Sequence, residues 1–383
     1  MGKRNKYYKA PILNLVYERQ PISRIGIGRI TGIRLATITE VVRELIAKGL
    51  VREKGKKERR KGAGRKEALL EIVQEGRFFI GCELLPSKID CLILNFKGKI
   101  VGKKSAEIRY NEDSLSILSD ITSLVLSLIK ETKIPKTRIY GLGFVDPGII
   151  DVEKGIAVFS SIMPNWRDVP VKKYLEKKLG FSVFLINTSQ AKVLAEHLFG
   201  RGKGINNLIF VEYGEGISCG IISEGKVIGG YTEIAGEMGH FTFPARREKC
   251  RCGKKGCLEA IAGIPAIEKK VRQLRKEKDI SIEGIVSAFE KGDPVACKIM
   301  DEASSFLSIA VANVIKLLNP ELVVLDRNFL RLGEKFLSIF LSGIRSHLLY
   351  GEAVRFDISN IGNDQASLGG AALTLQHFLK QGV

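Results

Sequence analysis

Residues 237–259 read EMGHFTFPARREKCRCGKKGCLE, and this stretch decides how the second half of the chain is interpreted. One histidine and three cysteines lie close together in it: His240, Cys250, Cys252 and Cys257. Imidazole and thiolate groups suit a tetrahedral zinc ion, and the glycines beside the last two cysteines allow the loop to turn back on itself. Four protein ligands predict a closed, structural Zn2+ site. The alternative is a set of free thiols in a loop, which rarely places cysteines at ligand spacing beside a histidine.

The composition is that of an ordinary globular protein with two or three domains. The chain has 383 residues, of which 45% are hydrophobic and 27% are charged. No apolar stretch is long enough to cross a bilayer, and the basic N-terminal segment lacks the apolar core of a signal peptide. Cys82, Cys91, Cys219 and Cys297 are scattered through apolar segments, which suits a reducing compartment. We therefore expect a cytoplasmic protein without membrane contact.

The positive charge of the chain is concentrated at its N-terminus. Residues 1–75 contain 19 Lys and Arg against 8 Asp and Glu, so they carry +11 of the total formal charge of +19. A local positive field of this size favours a polyanionic partner, most often nucleic acid. The alternative is a solvated basic tail, but the same segment has the apolar periodicity of a folded unit.

Residues 1–48 have the pattern of three short helices. The first has an apolar face around 12–16 and ends near Gln20-Pro21, and the second runs from Ser23, as its N-cap, to Gly32. A third helix is predicted over 35–48, with Leu35, Ile38, Val41, Val42, Leu45 and Ile46 on its apolar face. Two helices joined by a tight glycine turn are typical of a helix-turn-helix, the second reading the major groove of double-stranded DNA. The predicted DNA contacts on this helix are Arg34, Ala36, Thr37, Thr39 and Arg43.

A basic hairpin follows the third predicted helix. Residues 51–54 and 68–72 have strand patterns, and the loop between them carries Arg59, Arg60, Arg65 and Lys66. Arg65 follows a glycine, which favours entry into a minor groove, and the other cations would contact phosphate. The order of elements predicts a winged helix-turn-helix DNA-binding domain over 1–75; a generic helical hairpin is the alternative.

The remaining residues predict an α/β architecture with two lobes. A group of strands followed by helices occurs twice, which indicates a first lobe over 76–189 and a second over 190–365, with a cleft between them. We expect the C-terminal helix, 366–383, to return to the first lobe. Other predictions are a helix over 188–199 and separate helices beginning at Pro294 and Glu302.

Several motifs resemble those of the ROK family, named for repressors, open reading frames and sugar kinases. The most specific are AGEMGH at 235–240 and CRCGKKGCLEA at 250–260; weaker ones are GLGFVDPG at 141–148, NWRDVP at 165–170 and LNPELVVL at 318–325. The resemblance implies a two-lobed, actin-like ATPase (ribonuclease H-like) fold with a zinc knot, a sugar site in the cleft and a homodimer or larger homo-oligomer. Family members with an N-terminal winged helix resemble sugar-responsive repressors, and those without one are typically ATP-dependent sugar kinases.

Four segments that serve kinase chemistry in the family are altered in this chain. The phosphate-binding Asp-x-Gly-Gly-Thr pattern is represented by ELLPS at 83–87, and the second phosphate loop by GEG at 214–216. The catalytic Asp is represented by Thr188, and a late glycine pair by Asp326-Arg327. A proline lacks an N–H for phosphate, a glutamate repels it, and a threonine is no base near neutral pH. We therefore expect no enzyme activity.

The resemblance assigns ligand hydroxyl contacts to Asn187, Glu237, His240 and Glu259. Carboxylates accept two hydroxyl hydrogens at once, which suits vicinal diols. A family Asn before Trp166 is replaced within 161–164, and Thr188 removes a second hydroxyl acceptor, so we expect either an unusual sugar or sugar derivative or a weakly bound one. The alternative for the two glutamates is a helix-cap or salt-bridge role. The leading hypothesis is a sugar-responsive, DNA-binding transcriptional regulator that acts as a repressor; the alternatives are a sugar kinase of the same family and a DNA-binding protein without an effector.

Overall fold

The structure is a computed structural model that describes residues 3–56, 67–109, 112–277, 279–349 and 354–381. The N-terminal part consists of α1 (Lys3–Arg19), β1 (Ile22–Ser23), α2 (Arg24–Thr31), α3 (Leu35–Ala47), β2 (Val51–Lys56) and β3 (Ala68–Ile72). The Ser23 side chain accepts a hydrogen bond from the Gly26 N–H, and Gly32 ends α2 with a left-handed φ of 70°. The predicted caps of α2 are therefore confirmed. The strands form a sheet in the order β1-β3-β2.

The exposed face of α3 differs from the prediction at two positions. Leu35 and Ile46, predicted on the apolar face, are 51% and 36% exposed. The buried stripe consists of Ile38, Val41, Val42 and Leu45. Leu35 follows the N-cap directly, one turn before that stripe begins, and Ile46 lies in the last turn. The ends of the helix thus extend past the core that its middle covers.

The elements that follow make up the next part of the chain, in which five strands form a mixed sheet with the order β11-β7-β4-β5-β6. They are β4 (Phe78–Leu84), β5 (Lys88–Asn95), β6 (Ile100–Glu107), α4 (Ser114–Thr132), β7 (Ile139–Asp146), β8 (Ile149–Asp151), β9 (Ile156–Phe159), β10 (Arg167–Val169), α5 (Val171–Leu179), β11 (Ser182–Asn187) and α6 (Thr188–Phe199). β4, β7 and β11 are parallel, and β5 and β6 extend the sheet as antiparallel strands. β8, β9 and β10 form a separate small sheet that sequence patterns had not indicated.

A second five-stranded sheet has the order β14-β13-β12-β15-β16. The elements of this last part of the chain are β12 (Leu208–Tyr213), β13 (Ile217–Ser223), β14 (Lys226–Val227), α7 (Leu258–Ala262), α8 (Ile264–Arg275), α9 (Ile282–Glu290), α10 (Pro294–Leu318), β15 (Leu322–Leu325), α11 (Gly333–His347), β16 (Arg355–Ile358) and α12 (Gln365–Gln381). β12, β15 and β16 are parallel, and β13 and β14 are antiparallel. Both large sheets thus repeat one pattern of three parallel strands extended by two antiparallel ones.

The helix α10 corrects one prediction. A separate helix was expected to begin at Glu302, but residues 294–318 form one continuous helix. The Asp293 side chain caps its start by accepting from the Ala296 N–H, and Asn319 ends it with a φ of 45°. No glycine or further proline lies between these caps, so the backbone has no reason to break. The helix predicted over 188–199, by contrast, is confirmed as α6.

The helix α6 is held between the two halves of the molecule by close backbone contacts. α12 packs on β4, on β7 and on α6. A Cβ atom on Gly369 of α12 would overlap the carbonyl oxygen of Ala191 in α6, and one on Gly220 of β13 would overlap that of Ser189. Only glycine allows this approach. α6 therefore contacts α12 on one side and the second large sheet on the other.

The N-terminal part shares a hydrophobic core with the first large sheet. Val16 of α1 is fully buried in the same core as Phe79 and Phe378. The Tyr17 ring stacks on Phe96 with centroids 6.0 Å apart, and Phe96 meets Phe378 edge-on at 5.3 Å. Among the described residues, no helix combines the length and the apolar character that a membrane crossing requires.

Candidate functional site

The predicted metal ligands lie together in the structure. The ligand atoms of His240, Cys250, Cys252 and Cys257 all lie within 4.8 Å of one another. The Sγ atoms of Cys252 and Cys257 are 3.7 Å apart, and Cys250 Sγ is 3.8 Å from His240 Nδ1. Tetrahedral zinc with Zn–S bonds of about 2.3 Å separates two sulfur ligands by about 3.8 Å. The cluster therefore has the size and the donor set that can hold a metal ion.

A tight loop over residues 250–254 carries the thiols of Cys250 and Cys252. The Cys250 N–H donates to the Lys254 carbonyl at 2.8 Å, and the Gly253 N–H donates to the Cys250 carbonyl at 3.0 Å. Gly256 has a φ of 74°, and a Cβ atom there would lie 2.7 Å from the Phe243 carbonyl oxygen. The glycine is thus required both by its left-handed backbone and by the close contact. Cys257 then sits at the N-terminus of α7.

The two predicted ligand-binding glutamates touch the metal cluster on different sides. His240 turns Nδ1 toward Cys250, while its Nε2 lies 3.8 Å from Glu237 Oε2. The Cys250 thiol donates to Glu259 Oε1 at 3.3 Å, and Arg251 Nε lies 3.8 Å from the same oxygen. Carboxylates that contact the second nitrogen of a metal-binding histidine orient its ring. The candidate metal ligands and the two candidate ligand-binding carboxylates therefore form one connected group.

Asn187 is placed beside this group but is already engaged. It caps α6 by accepting from the Gln190 N–H at 2.9 Å, and its Nδ2 donates to the Glu233 carbonyl at 3.2 Å. Gln190 Nε2 also donates to Glu233 Oε2 at 3.0 Å. Asn187 and Gln190 thus tie the start of α6 to the segment that leads into Glu237. Sequence reasoning missed Gln190 and Glu233, because only the folded segment brings them to Asn187.

A buried carboxyl group lies next to Asn187 on the neighbouring strand. Asp146, at the end of β7, pairs in register with Asn187 at the end of β11. It accepts from Trp166 Nε1 at 2.7 Å and from the Gly148 N–H at 2.8 Å. Burial raises the pKa of Asp146 to about 6, although both hydrogen bonds oppose that shift. Two signals in the sequence could have identified Asp146: it ends a buried strand, and it lies in the GLGFVDPG motif at 141–148.

Four charged side chains meet where the two large sheets approach α6, and we call Glu83, Lys192, Glu212 and Asp326 the Lys192 cluster. Lys192 Nζ lies 2.6 Å from Glu212 Oε1 and 3.4 Å from Asp326 Oδ2. Burial would lower the pKa of Lys192, but these carboxylates outweigh it and raise that pKa. Burial also raises the pKa of Glu83 to about 7. Lys192 lies on a helix with no motif around it, so sequence reasoning did not select it.

The predicted DNA contacts on α3 are only partly free. Arg34, Ala36 and Arg43 are exposed, whereas Thr37 and Thr39 are half-buried. The Thr39 hydroxyl donates to the Leu35 carbonyl at 2.8 Å within the helix. The predicted contacts of the basic hairpin, Arg59, Arg60, Arg65 and Lys66, lie outside the described residues.

Comparison with known proteins finds that the chain is similar both to transcriptional repressors and to sugar kinases. Residues 80–377 match the model of the ROK family. This chain belongs to the ROK family. The xylose repressor of Caldicellulosiruptor bescii is 28% identical over 97% of this chain and 96% of its own length. A solved ROK family transcriptional regulator, described as a homolog of the Escherichia coli MLC protein, covers 99% of this chain and 97% of its own with a TM-score of 0.84 and 25% identity.

ROK kinases match a shorter part of the chain. The ROK hexokinase from Thermus thermophilus is 28% identical and has a TM-score of 0.68, covering 78% of this chain and 97% of its own. The part of this chain that the hexokinase does not match is about as long as the segment before residue 80, where the family match begins. The ROK regulators are therefore similar to this chain over nearly its whole length, and the hexokinase over about four-fifths of it.

A pH titration tests the environment of Glu83. Because its folded pKa is raised from 4.5 to about 7, the stability it contributes is full below pH 4.5 and is lost as the pH rises through 7. Relative to Glu83→Gln, the wild-type free energy of unfolding should therefore grow by roughly 3 kcal/mol between pH 8 and pH 4.5. Chemical denaturation across this range measures it, with exposed Glu334→Gln as the control. A difference that does not change with pH would contradict the assignment.

Proposed function

We propose that this ROK protein is a sugar-responsive, DNA-binding transcriptional regulator, and specifically a repressor. The observation that carries the proposal is the extent of the match, since a xylose repressor covers 97% of the chain and a ROK hexokinase structure only 78%. The additional part is the strongly basic N-terminal segment. A protein that keeps the sugar-kinase fold and adds a basic helical unit is suited to connect a sugar ligand with DNA.

The arrangement of α2, α3 and the β2–β3 hairpin supports a winged helix-turn-helix. α2 ends at Gly32, and α3 begins at Leu35 after a short turn. Arg34 and Arg43 are exposed and can contact phosphate or guanine, while exposed Leu35 can contact a thymine methyl group. We propose residues 1–75 as the DNA-binding domain, 76–189 with the C-terminal helix as the first lobe, and 190–365 as the second. A homodimer is expected, since two half-sites match two recognition helices.

The hydroxyl-binding candidates support a neutral, polar ligand beside the metal cluster. Glu237 lies beside His240, and Glu259 accepts from Cys250, so both carboxylates adjoin the His240–Cys250 pair. Carboxylates at such positions accept hydroxyl hydrogens and suit a sugar or sugar derivative. Asn187 and Gln190 would hold the segment 229–237 in place. Their side-chain amide N–H groups donate to Glu233, so not all of their polar atoms are available to a ligand.

We propose further that the lobes are not catalytic. Thr188, which stands for the family's catalytic Asp, donates its hydroxyl to the Asp146 carbonyl at 3.3 Å. In the segment that stands for the second phosphate loop, the Gly214 N–H donates to the Gly216 carbonyl, and Arg251 donates to the Glu215 carbonyl. The Gly214 N–H is therefore not free to cradle phosphate, and the Glu215 carbonyl is turned toward Arg251.

An enzyme-coupled assay tests the proposed loss of kinase chemistry. We expect no ADP release above the rate without sugar when the protein is given Mg-ATP with xylose, glucose or N-acetylglucosamine, because Thr188 stands in place of the family's catalytic Asp and the segments that stand for the phosphate loops are altered. A ROK glucokinase assayed in parallel shows that the assay works. Sugar-dependent ADP release at about 1 s⁻¹ or faster, the ordinary range of kinases, would make this chain an enzyme.

The metal ion proposed for the cluster is Zn2+ in a structural role, held by His240, Cys250, Cys252 and Cys257. Zinc would draw the thiols into the thiolate form and anchor the loop 240–257 to α7. Cys252→Ser should abolish zinc binding and lower the melting temperature, as measured by elemental analysis and calorimetry. Cys297→Ser, which removes a thiol outside the cluster, should keep the metal. Full zinc content in Cys252→Ser would refute the site.

A pair of variants separates the DNA function from the sugar function. An operator is first selected from random duplexes, and sugars are then titrated while operator binding is followed by fluorescence anisotropy. Arg34→Ala/Arg43→Ala should weaken operator binding at least tenfold and reduce its salt dependence, yet keep the sugar-induced rise in melting temperature. Glu237→Gln/Glu259→Gln should bind the operator normally and lose the response to sugar.

Two results would count against the proposed regulator. If no sugar changes operator affinity or melting temperature, the sensor is excluded and a regulator without an effector remains. If Arg34→Ala/Arg43→Ala weakens operator binding no more than Arg272→Ala, which changes an exposed residue of α8, then α3 does not contact DNA.

A further inference from the structure

The Lys192 cluster joins elements that are far apart in the chain. Glu83 lies at the end of β4, Lys192 on α6, Glu212 near the end of β12, and Asp326 directly after β15. The ends of strands from both large sheets therefore deliver carboxylates to one ammonium group. Asp326 is further fixed by accepting from the Asn328 N–H at 2.8 Å, and Glu212 by accepting from the Ser218 hydroxyl at 2.7 Å.

The cluster carries more negative than positive charge. Its three carboxylates face one ammonium, and that ammonium is already paired with Glu212 and Asp326. Glu83 is only 5% exposed, and its carboxyl group makes no hydrogen bond or ion pair with a side chain among the described residues. The nearby Lys88 pairs with Asp90 at 2.5 Å, and Arg251 is engaged by Glu259 and the Glu215 carbonyl. These cations are thus not free to neutralise an incoming anion.

The cluster is continuous with the proposed ligand site. Ser218, which bonds Glu212, lies opposite it on β13, and the next residue, Cys219, donates its N–H to the Gly236 carbonyl at 2.8 Å. Gly236 directly precedes Glu237. A ligand held by Glu237 and His240 is therefore bordered on this side by carboxylates.

We infer that the Lys192 cluster selects the ligand by its charge, so that the site accepts neutral sugars and rejects sugar phosphates. The inference rests on the proposed sugar-sensing function and specifies its ligand class. A hydroxyl group gains from a buried carboxylate acceptor such as Glu83, whereas a phosphate loses its hydration and meets charge of its own sign. Glu83 and Asp326 are 5% and 6% exposed, so water screens the repulsion between these carboxylates and a nearby phosphate only weakly.

Calorimetric titration at pH 8 tests the inference with four probes: D-glucose, N-acetyl-D-glucosamine, and the 6-phosphate of each. Wild-type protein should bind a neutral sugar at least tenfold more tightly than its phosphate. Glu212→Gln removes one negative charge and should improve the affinity for phosphate relative to neutral sugar roughly tenfold. Lys192→Met/Glu212→Gln removes one charge of each sign and should restore the wild-type ratio. A merely structural defect would not be restored by the second change.

Glu83→Gln gives the same test without disturbing an ion pair, in case Glu212→Gln fails to fold. Exposed Glu334→Gln is the control and should keep the wild-type ratio. Equal or tighter binding of a sugar phosphate by the wild-type protein would overturn the inference and leave the sugar sensor intact. If none of the four probes binds, and neither they nor xylose alters operator affinity or melting temperature, the sugar-sensing proposal fails and the inference fails with it.

Discussion

The close packing of α6 is the constraint on which the rest of the structure depends. Its backbone touches α12 at Gly369 and β13 at Gly220, so any side chain larger than hydrogen at either position would push the two halves apart. With α6 fixed in this way, Asn187 at its N-terminus lies beside the proposed ligand site. One and a half turns later, Lys192 lies among the carboxylates of both sheets. One helix thus positions the groups that tie the ligand site to the charged cluster behind it.

How much of the site could be predicted depended on distance along the chain. His240 and the three cysteines lie within one short loop, so ligand spacing alone indicated a cluster, and the structure brings those atoms together. Asp146 and Lys192 gave no comparable signal, because their partners come from other strands and the register of a parallel sheet is set by the whole fold. Glu83 and Asp326 stood out in the sequence as altered kinase segments, but nothing in it indicated that Lys192 of α6 would bring them together.

Helix boundaries were easier to predict than the faces that helices bury. Caps are local, so Ser23 and Gly32 could be identified as the limits of α2 from residue type alone. Burial depends on what lies opposite, and Leu35 extends beyond the core that covers the middle of α3. The same reasoning explains α10, where a predicted break at Glu302 had no chemical basis in a segment without glycine. Local chemistry fixes the ends of helices, whereas packing decides their orientation.

The shared core near the N-terminus limits how a ligand signal can reach DNA. Tyr17 stacks on Phe96, and Phe96 packs on Phe378 of α12, so α1, the first large sheet and α12 form one packed unit. Densely packed units move as bodies. Under the proposed function, a ligand bound beside α7 and α6 would therefore change the angle between the second sheet and this unit, and would not bend the N-terminal part away from the first sheet. The proposed effector must bind the molecule more tightly at one of these angles than at the other. The Lys192 cluster takes carboxylates from both sheets, so a change of angle would alter its contacts.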